Sequence, residues 1–244
     1  MAHLLSSWRS DVDSAEEARQ HLLFFLRHAN AHRLLLPVQP RPGHHTTLFA
    51  MIQTMPSATP NATAGATPLR PSLVRVVDAP LPTVAHVSPL HAAVQAGDAA
   101  AVLLLLQHGA TPFLPGSEEC PLLLALTRLS SQARAQLQRG FPCPCEEELC
   151  PCLLTRPIAY PEEDLAILRL LQSATGAPPL PAHPEVVHPR LLTDGVVNPG
   201  EVPPLKQWAR LRLRQALYEA WQLPEGVAGL SLPDPLKRYV NLEA

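Results

Sequence analysis

Apolar residues recur at helical spacing along this chain, in blocks that prolines separate. Val102, Leu105 and Leu106 follow one another at the three- and four-residue intervals that place side chains on one face of an α-helix. Other blocks with similar spacing are residues 21–30, 120–125 and 166–173. Prolines that would interrupt such helices cluster in residues 55–87, 141–161 and 177–204. The pattern predicts an all-α protein built from short helical blocks.

The clearest unit begins with the sequence SPLHAA at residues 88–93. A proline such as Pro89 is tolerated in the first turn of a helix, because its missing N–H would have no partner there. The two alanines allow close packing against a neighbouring helix. Gly97 is placed to end this first helix, and Gly109 follows a second helix where a left-handed residue is favoured. The unit therefore predicts a pair of helices joined by a tight turn.

This unit resembles an ankyrin repeat, which we place at residues 86–117. A weaker copy starts with CPLLLA at 120–125, and its outer helix returns at 166–173 after an insertion predicted at 127–162. Upstream, residues 21–30 resemble an outer helix and residues 46–52 an inner one. The resemblance implies an irregular, short ankyrin solenoid of three or four repeats over residues 1–180. The alternative is a set of ordinary amphipathic helices in an unrelated bundle.

A second helical segment lies near the C-terminus, after a predicted proline-rich connector at residues 181–202. Residues 205–217 contain neither proline nor glycine, and Leu205, Ala209, Leu213 and, one turn further, Ala216 or Leu217 share one face. The arginines at 210, 212 and 214 are predicted around the rest of that helix. A proline-fixed extended segment follows at 230–235 and leads into a short terminal helix.

Together, residues 203–244 resemble a SOCS box. In that family the helix binds elongin C through a leucine that follows proline, serine or threonine. A cysteine or another small residue comes four residues after this leucine, and an apolar residue comes four residues later again. Pro204 and Leu205 match, and alanine at 209 replaces the commoner cysteine. The resemblance implies that the elongin C-binding residues are Leu205, Ala209, Leu213 and Leu217.

The downstream segment resembles the part of a SOCS box that selects cullin-5. Ser231 replaces the first proline of that pattern, which leaves the choice of cullin open, since proline pre-sets an extended backbone. The residues that the resemblance implies for cullin binding are Leu230, Leu232, Pro233, Leu236 and Tyr239.

A repeat stack followed by this segment resembles the ankyrin repeat and SOCS box family. Members of that family commonly have longer stacks, so we expect a shortened repeat stack in this chain. The resemblance implies a substrate receptor of an E3 ubiquitin ligase. The repeats would bind an unidentified target protein, while the box recruits elongin C, elongin B, cullin-5 and a RING protein for ubiquitination and proteasomal degradation. The alternative is an ankyrin scaffold whose C-terminal helix is only a cap. A cap would bury Leu205 against the last repeat.

Composition narrows the function further. A formal net charge of −2 and an isoelectric point near 6.6 give no basic face for nucleic acid or an anionic membrane. The N-terminus lacks the pattern of a secretion signal, and five cysteines, an odd number, are typical of reduced thiols. We therefore expect a cytoplasmic protein, with a nuclear location left open, and neither nucleic acid nor a membrane as partner.

Four cysteines form the only cluster with candidate metal chemistry: Cys143, Cys145, Cys150 and Cys152. Structural zinc sites usually leave two to four residues between paired cysteines, whereas here a single proline separates each pair. We predict an exposed loop of reduced cysteines, with zinc as the less favoured alternative. No cysteine lies in a recognisable nucleophile motif and no glycine-rich phosphate loop is present. The sequence therefore predicts no cofactor and no enzymatic activity.

Overall fold

The computed structural model describes residues 12–38, 72–79, 87–112, 120–139, 158–175, 187–197 and 203–243. These residues are mostly helical, as the sequence predicted. An antiparallel two-stranded ribbon, in which Leu35 lies opposite Arg75, adds strand structure that the sequence analysis did not predict. The helices are α1 (Val12–Ala31), α2 (Pro89–Ala96), α3 (Ala99–Gln107), α4 (Pro121–Arg139), α5 (Glu162–Thr175), α6 (Pro189–Thr193), α7 (Leu205–Glu219) and α8 (Asp234–Val240). The strands are β1 (Leu35–Val38) and β2 (Ser72–Arg75), and short 3-10 turns lie at Val76–Asp78 and Glu225–Val227.

Helices α2 and α3 form the tight pair that the sequence predicted. The hydroxyl of Ser88 accepts a hydrogen bond from the His91 N–H at 3.2 Å and thereby caps α2. Gly97 ends α2 in the left-handed conformation, with φ of 77°. Asp98 then caps α3 by accepting from the Ala101 N–H at 2.9 Å. The predicted helix boundaries at Pro89 and Gly97 are confirmed.

A second pair, α4 and α5, packs on the first. Helix α2 contacts α4 and α3 contacts α5, so the two pairs lie in consecutive layers. A continuous apolar core fills the space between these layers, and α1 contributes Leu22 and Leu26 to it. The largest fully buried residues of the layers include Leu90, Val102, Leu105, Leu106, Leu129, Ile167, Leu168 and Leu171. Such a core forms only when the pairs stack, because each pair alone would leave one apolar face exposed.

Helix α4 extends into the predicted insertion at residues 127–162. Residues 127–139 continue α4, because Leu129, Ala133 and Leu137 recur every four residues and are buried on one face. Near the far end of the helix, the Gln136 amide pairs with both backbone groups of Ala159, at 2.5 and 3.0 Å. Ala159, just before α5, is thus tied to the end of α4. Residues 46–52, predicted as an inner helix, lie outside the described residues.

The predicted connector at 181–202 also contains folded structure. Helix α6 lies within it, and Val187, Leu191 and Val197 are part of the main core. Asp194 accepts a hydrogen bond from the Tyr160 hydroxyl at 3.0 Å and pairs with Arg190 at 3.0 Å. Apolar residues between the prolines therefore make residues 187–197 a part of the packed body rather than a simple linker. No helix within the described ranges is long and apolar enough to cross a membrane.

His108 leads to a prediction about pH. It lies buried at the end of α3, and neither ring nitrogen has a hydrogen-bond partner among the described residues. Burial lowers the pKa of His108 to about 4. Above its ordinary pKa near 6.5 the residue is neutral in both folded and unfolded chains, so it adds no pH dependence. Between pH 6.5 and 4 only the unfolded chain binds the proton, and stability falls as the pH falls.

As the pH falls from 6.5 to 4, we expect the protonation of His108 in the unfolded chain to lower the free energy of unfolding by up to about 3 kcal/mol, the size that corresponds to the pKa shift. Urea denaturation of the native chain and of His108→Gln between pH 7 and 4 measures this difference. The variant should lose less stability on acidification than the native chain. If the free energies of unfolding of the two proteins fell equally with pH, His108 would not titrate with a lowered pKa.

Candidate functional site

The C-terminal helix α7 docks on the helical layers through two buried arginines. Arg210 donates a hydrogen bond to the Ser173 carbonyl at 2.6 Å, in the last turn of α5. Arg214, one turn further along α7, donates to the Leu106 carbonyl in the last turn of α3 and to the Val240 carbonyl at 2.9 Å. Carbonyls at a helix C-terminus lack partners within the helix, and the helix dipole favours a cation there. Each arginine therefore caps one of two adjacent helices.

Burial lowers the pKa of Arg214 to about 10, and the nearby charge of Arg210 acts in the same direction. Burial also lowers the pKa of Arg210. Both guanidinium groups remain cationic at neutral pH, where their charge suits the carbonyl ends of α3 and α5. From the sequence, these arginines were expected around the rest of the helix, away from its apolar face. Their four-residue spacing, on the side of the helix opposite Leu205, is the signal that could have identified them as a pair.

A second anchor joins α7 to the ribbon and α3. The Asp78 carboxylate accepts hydrogen bonds from the Thr111 N–H at 2.7 Å and from the Tyr218 hydroxyl at 3.4 Å. The Arg75 guanidinium lies over the rings of Tyr218 and Trp221, 3.5 and 3.8 Å from their centroids. Burial raises the pKa of Asp78 and raises that of Tyr218 to about 12. These contacts fix the C-terminal half of α7 against the body of the protein.

Gly109 makes this second anchor possible, because a residue with a side chain would collide with the Tyr218 ring. Its φ is +90°, and a Cβ built there would lie 2.5 Å from Cδ2 of Tyr218. Gly195 has a similar φ of +69° but nothing within 4 Å of the same position. We expect Gly109→Ala to destabilise the fold by about 1–3 kcal/mol because of backbone strain. The displacement of the Tyr218 ring by the new Cβ should lower the stability further.

Gly195→Ala is the matched control for this prediction, because it imposes backbone strain without a steric conflict. Urea denaturation of both variants measures the difference between them. Equal losses of stability would show that Tyr218 does not pack closely on residue 109.

Helix α8 is held on α7 by a smaller apolar cluster. Its buried members are Leu217, Leu223, Val227 and Val240, and its half-buried ones include Leu213, Leu230 and Leu232. The ring of Tyr239 lies under the Lys206 ammonium at 3.9 Å and under the Arg210 guanidinium at 4.2 Å. Gln107 of α3 donates to the Asn241 carbonyl at 3.1 Å, which ties the end of α8 to the main body. The two C-terminal helices therefore form one unit.

The outer face of α7 begins with Leu205, which is 84% exposed. Ala209 is also exposed and Leu213 is half-buried, but Leu217 is only 6% exposed and belongs to the small cluster. Residues four apart on a helix differ by about 40° in direction, because each residue advances about 100°. The predicted stripe therefore winds from the outside of the helix into the protein. Its last member, Leu217, packs on the small cluster in this structure.

The segment predicted to bind a cullin is also divided between surface and interior. Pro233 is exposed and Leu236 is 39% exposed, whereas Leu230 and Leu232 pack on the small cluster. Tyr239 is half-buried against α7. Of the five predicted residues, Pro233 and Leu236 are therefore the exposed ones, and the other three are half-buried.

The candidate metal ligands Cys143, Cys145, Cys150 and Cys152 lie outside the described residues. Within the described ranges, no group of three or more histidine, cysteine or acidic side chains is arranged to hold a metal ion. The one cysteine in those ranges is Cys120, which is buried and free. Its thiol lies 3.3 Å from the Pro112 carbonyl at the entrance to α4.

Comparison with protein families identifies the C-terminal unit. The SOCS box family matches residues 201–241, which include α7, the turn after it and α8. This agrees with the predicted box at residues 203–244. The chain therefore contains a SOCS box, the kind of domain that recruits elongins B and C and a cullin ligase. Searches of curated proteins and of solved structures found no match to this chain.

Proposed function

We propose that this protein is the substrate receptor of a cullin-RING E3 ubiquitin ligase and that its SOCS box binds elongin C through Leu205. The observation that carries the proposal is the 84% exposure of Leu205 on the first turn of α7, within the segment that matches the SOCS box family. Full burial of a leucine side chain contributes about 1.5–3 kcal/mol, so an exposed leucine on a firmly docked helix is a favourable anchor for a partner.

The two interpretations of the C-terminal helix involve opposite faces of α7. Arg210 and Arg214 on the inner face cap the helical layers, as a purely structural cap would. Leu205 and Ala209 on the outer face remain open to a partner. A cap that served only stability would be expected to bury Leu205. Its exposure therefore favours recruitment of elongin C in addition to capping.

The body of the protein would bind the target. Two consecutive layers of paired helices, a capped SPLHAA helix start and left-handed glycines at 97 and 109 support an ankyrin-type stack for this role. The proposed receptor contributes no chemistry of its own. It raises the effective concentration of target lysines near the ubiquitin-charged enzyme.

Cullin-5 is the proposed cullin, with its RING protein. The choice rests on the resemblance of the downstream segment, and Pro233 and Leu236 are available for such a contact because they are exposed at the start of α8 and in its first turn. Ser231, also exposed, stands where the resemblance expects a proline. Direct comparison of cullins therefore belongs in the first test.

The test is co-expression of the full chain with elongins B and C, followed by affinity purification. Stoichiometric capture of both elongins by the folded chain is the expected result. Purified ternary complex is then titrated with cullin-5 and, separately, with another elongin-binding cullin. Preference for the other cullin would overturn the cullin-5 assignment alone. A folded chain that captures no elongin would overturn the ligase function and leave an ankyrin-type scaffold as the better account.

A further inference from the structure

The outer face of α7 contains a large side chain that the SOCS box pattern does not include. Trp208 is 45% exposed and lies one turn after Leu205. Each residue of an α-helix advances about 100° around the axis, so Trp208 and Ala209 lie on either side of Leu205 when the helix is viewed down its axis. The three residues together form a band around the outer side of α7. The pattern from which the elongin contact was predicted follows one side of this band, toward Ala209 and Leu213.

That side of the band offers little apolar surface. Ala209 has only a methyl group where the family commonly has cysteine, Leu213 packs partly on the small cluster, and Leu217 is buried. A partner that followed the stripe would gain Leu205 and little else. On the opposite side, a tryptophan supplies one of the largest contact surfaces of any side chain, with few rotamers to order.

Trp208 also borders a groove that extends the outer face toward the body of the protein. The groove lies between α7 and the C-terminal ends of α3 and α5. Together with Trp208, its lining includes Ala174 and Thr175 at the end of α5 and Leu211 on α7. A partner seated on Leu205 and Trp208 could therefore continue into this groove without a break in the contact.

We propose that Trp208 is a second anchor for elongin C and that the contact runs from Leu205 across Trp208 toward the groove. This inference rests on the proposed function, since it assigns the partner of the same helix. The occupant follows from continuity, because Trp208 and Leu205 are neighbours on the exposed face of the SOCS box helix. Tryptophan is enriched among the residues that dominate binding energy at protein interfaces.

The test is the affinity of purified elongin B–elongin C complex for four full-length chains, measured by calorimetry: native, Trp208→Ala, Trp208→Phe and Leu205→Ala. We expect Trp208→Ala to weaken binding by about thirty-fold, the effect typical of a tryptophan anchor. Trp208→Phe, which keeps an aromatic ring, should lose less. The thermal midpoint of each chain is measured alone, and an exposed anchor should leave it nearly unchanged.

A spectroscopic measurement keeps the inference testable if an alanine variant fails to fold. The native chain is labelled with 5-fluorotryptophan, and its Trp208 resonance is assigned by comparison with Trp208→Phe. We expect that resonance to shift when elongins are added. An unshifted resonance, or Trp208→Ala binding within about two-fold of native while Leu205→Ala is impaired, would overturn the inference and leave the proposed function standing. Failure of the native chain to bind would overturn both.

Discussion

Replacement of Leu205 by alanine should weaken elongin binding by about thirty-fold or more, the size expected when a leucine anchor that fills a pocket is truncated. The side chain is 84% exposed in the isolated protein, so its removal takes no atoms from the core. We therefore expect unchanged helix content and an unchanged thermal midpoint. Calorimetric titration with elongin B–elongin C complex, together with thermal denaturation of the free chain, measures both parts of this prediction.

The protein provides a matched control for this substitution. Leu192 on α6 is also an exposed leucine, with 39% of its surface accessible, and it lies outside the SOCS box match. Leu192→Ala should bind elongins like the native chain. If Leu205→Ala bound equally well, Leu205 would not be the anchor. A substitution at Leu213 is less informative, because Leu213 packs on the small cluster and its loss would disturb the fold.

Replacement of Arg214 by methionine should lower the free energy of unfolding by about 3 kcal/mol, since hydrogen bonds from charged donors contribute about 1.5–3 kcal/mol each. The variant would remove the guanidinium donor from the Leu106 and Val240 carbonyls, and the Leu106 carbonyl would keep only its hydrogen bond from the Gly109 N–H at 2.9 Å. Methionine has a similar length and keeps part of the apolar packing, which offsets some of the loss. Urea denaturation followed by far-ultraviolet circular dichroism measures the change.

Arg212→Met is the matched control, because Arg212 is an exposed arginine two residues away on the same helix. It should change stability by no more than about 0.5 kcal/mol, as is usual for surface substitutions. Similar unfolding curves for Arg214→Met and the native chain would mean that Arg214 does not hold α7 on the body. The Leu205 and Arg214 variants together separate the two faces of α7: the first should lose recruitment with stability intact, and the second should lose stability.

Local chemistry carried much of the sequence-based prediction. Pro89, Gly97 and Gly109 have backbone requirements that depend only on their neighbours in the chain, and the structure places all three as predicted. The SOCS box was recognisable because its residues lie within one continuous segment. The burial of Leu137 in the predicted insertion and of Leu191 in the predicted connector was not foreseen, since such apolar residues become core residues only when distant helices pack on them.

The amino-acid sequence alone thus determined the helical composition, the start and end of α2, the tight turn between α2 and α3 and the presence of a SOCS box. Only the tertiary structure decided which side of α7 faces outward. Leu205 and Leu217 have the same chemistry and lie on the same predicted stripe, yet one is exposed and the other is buried. The reason is that α7 is oriented by Arg210 and Arg214, whose carbonyl partners come from α3, α5 and α8 and are not neighbours in the sequence.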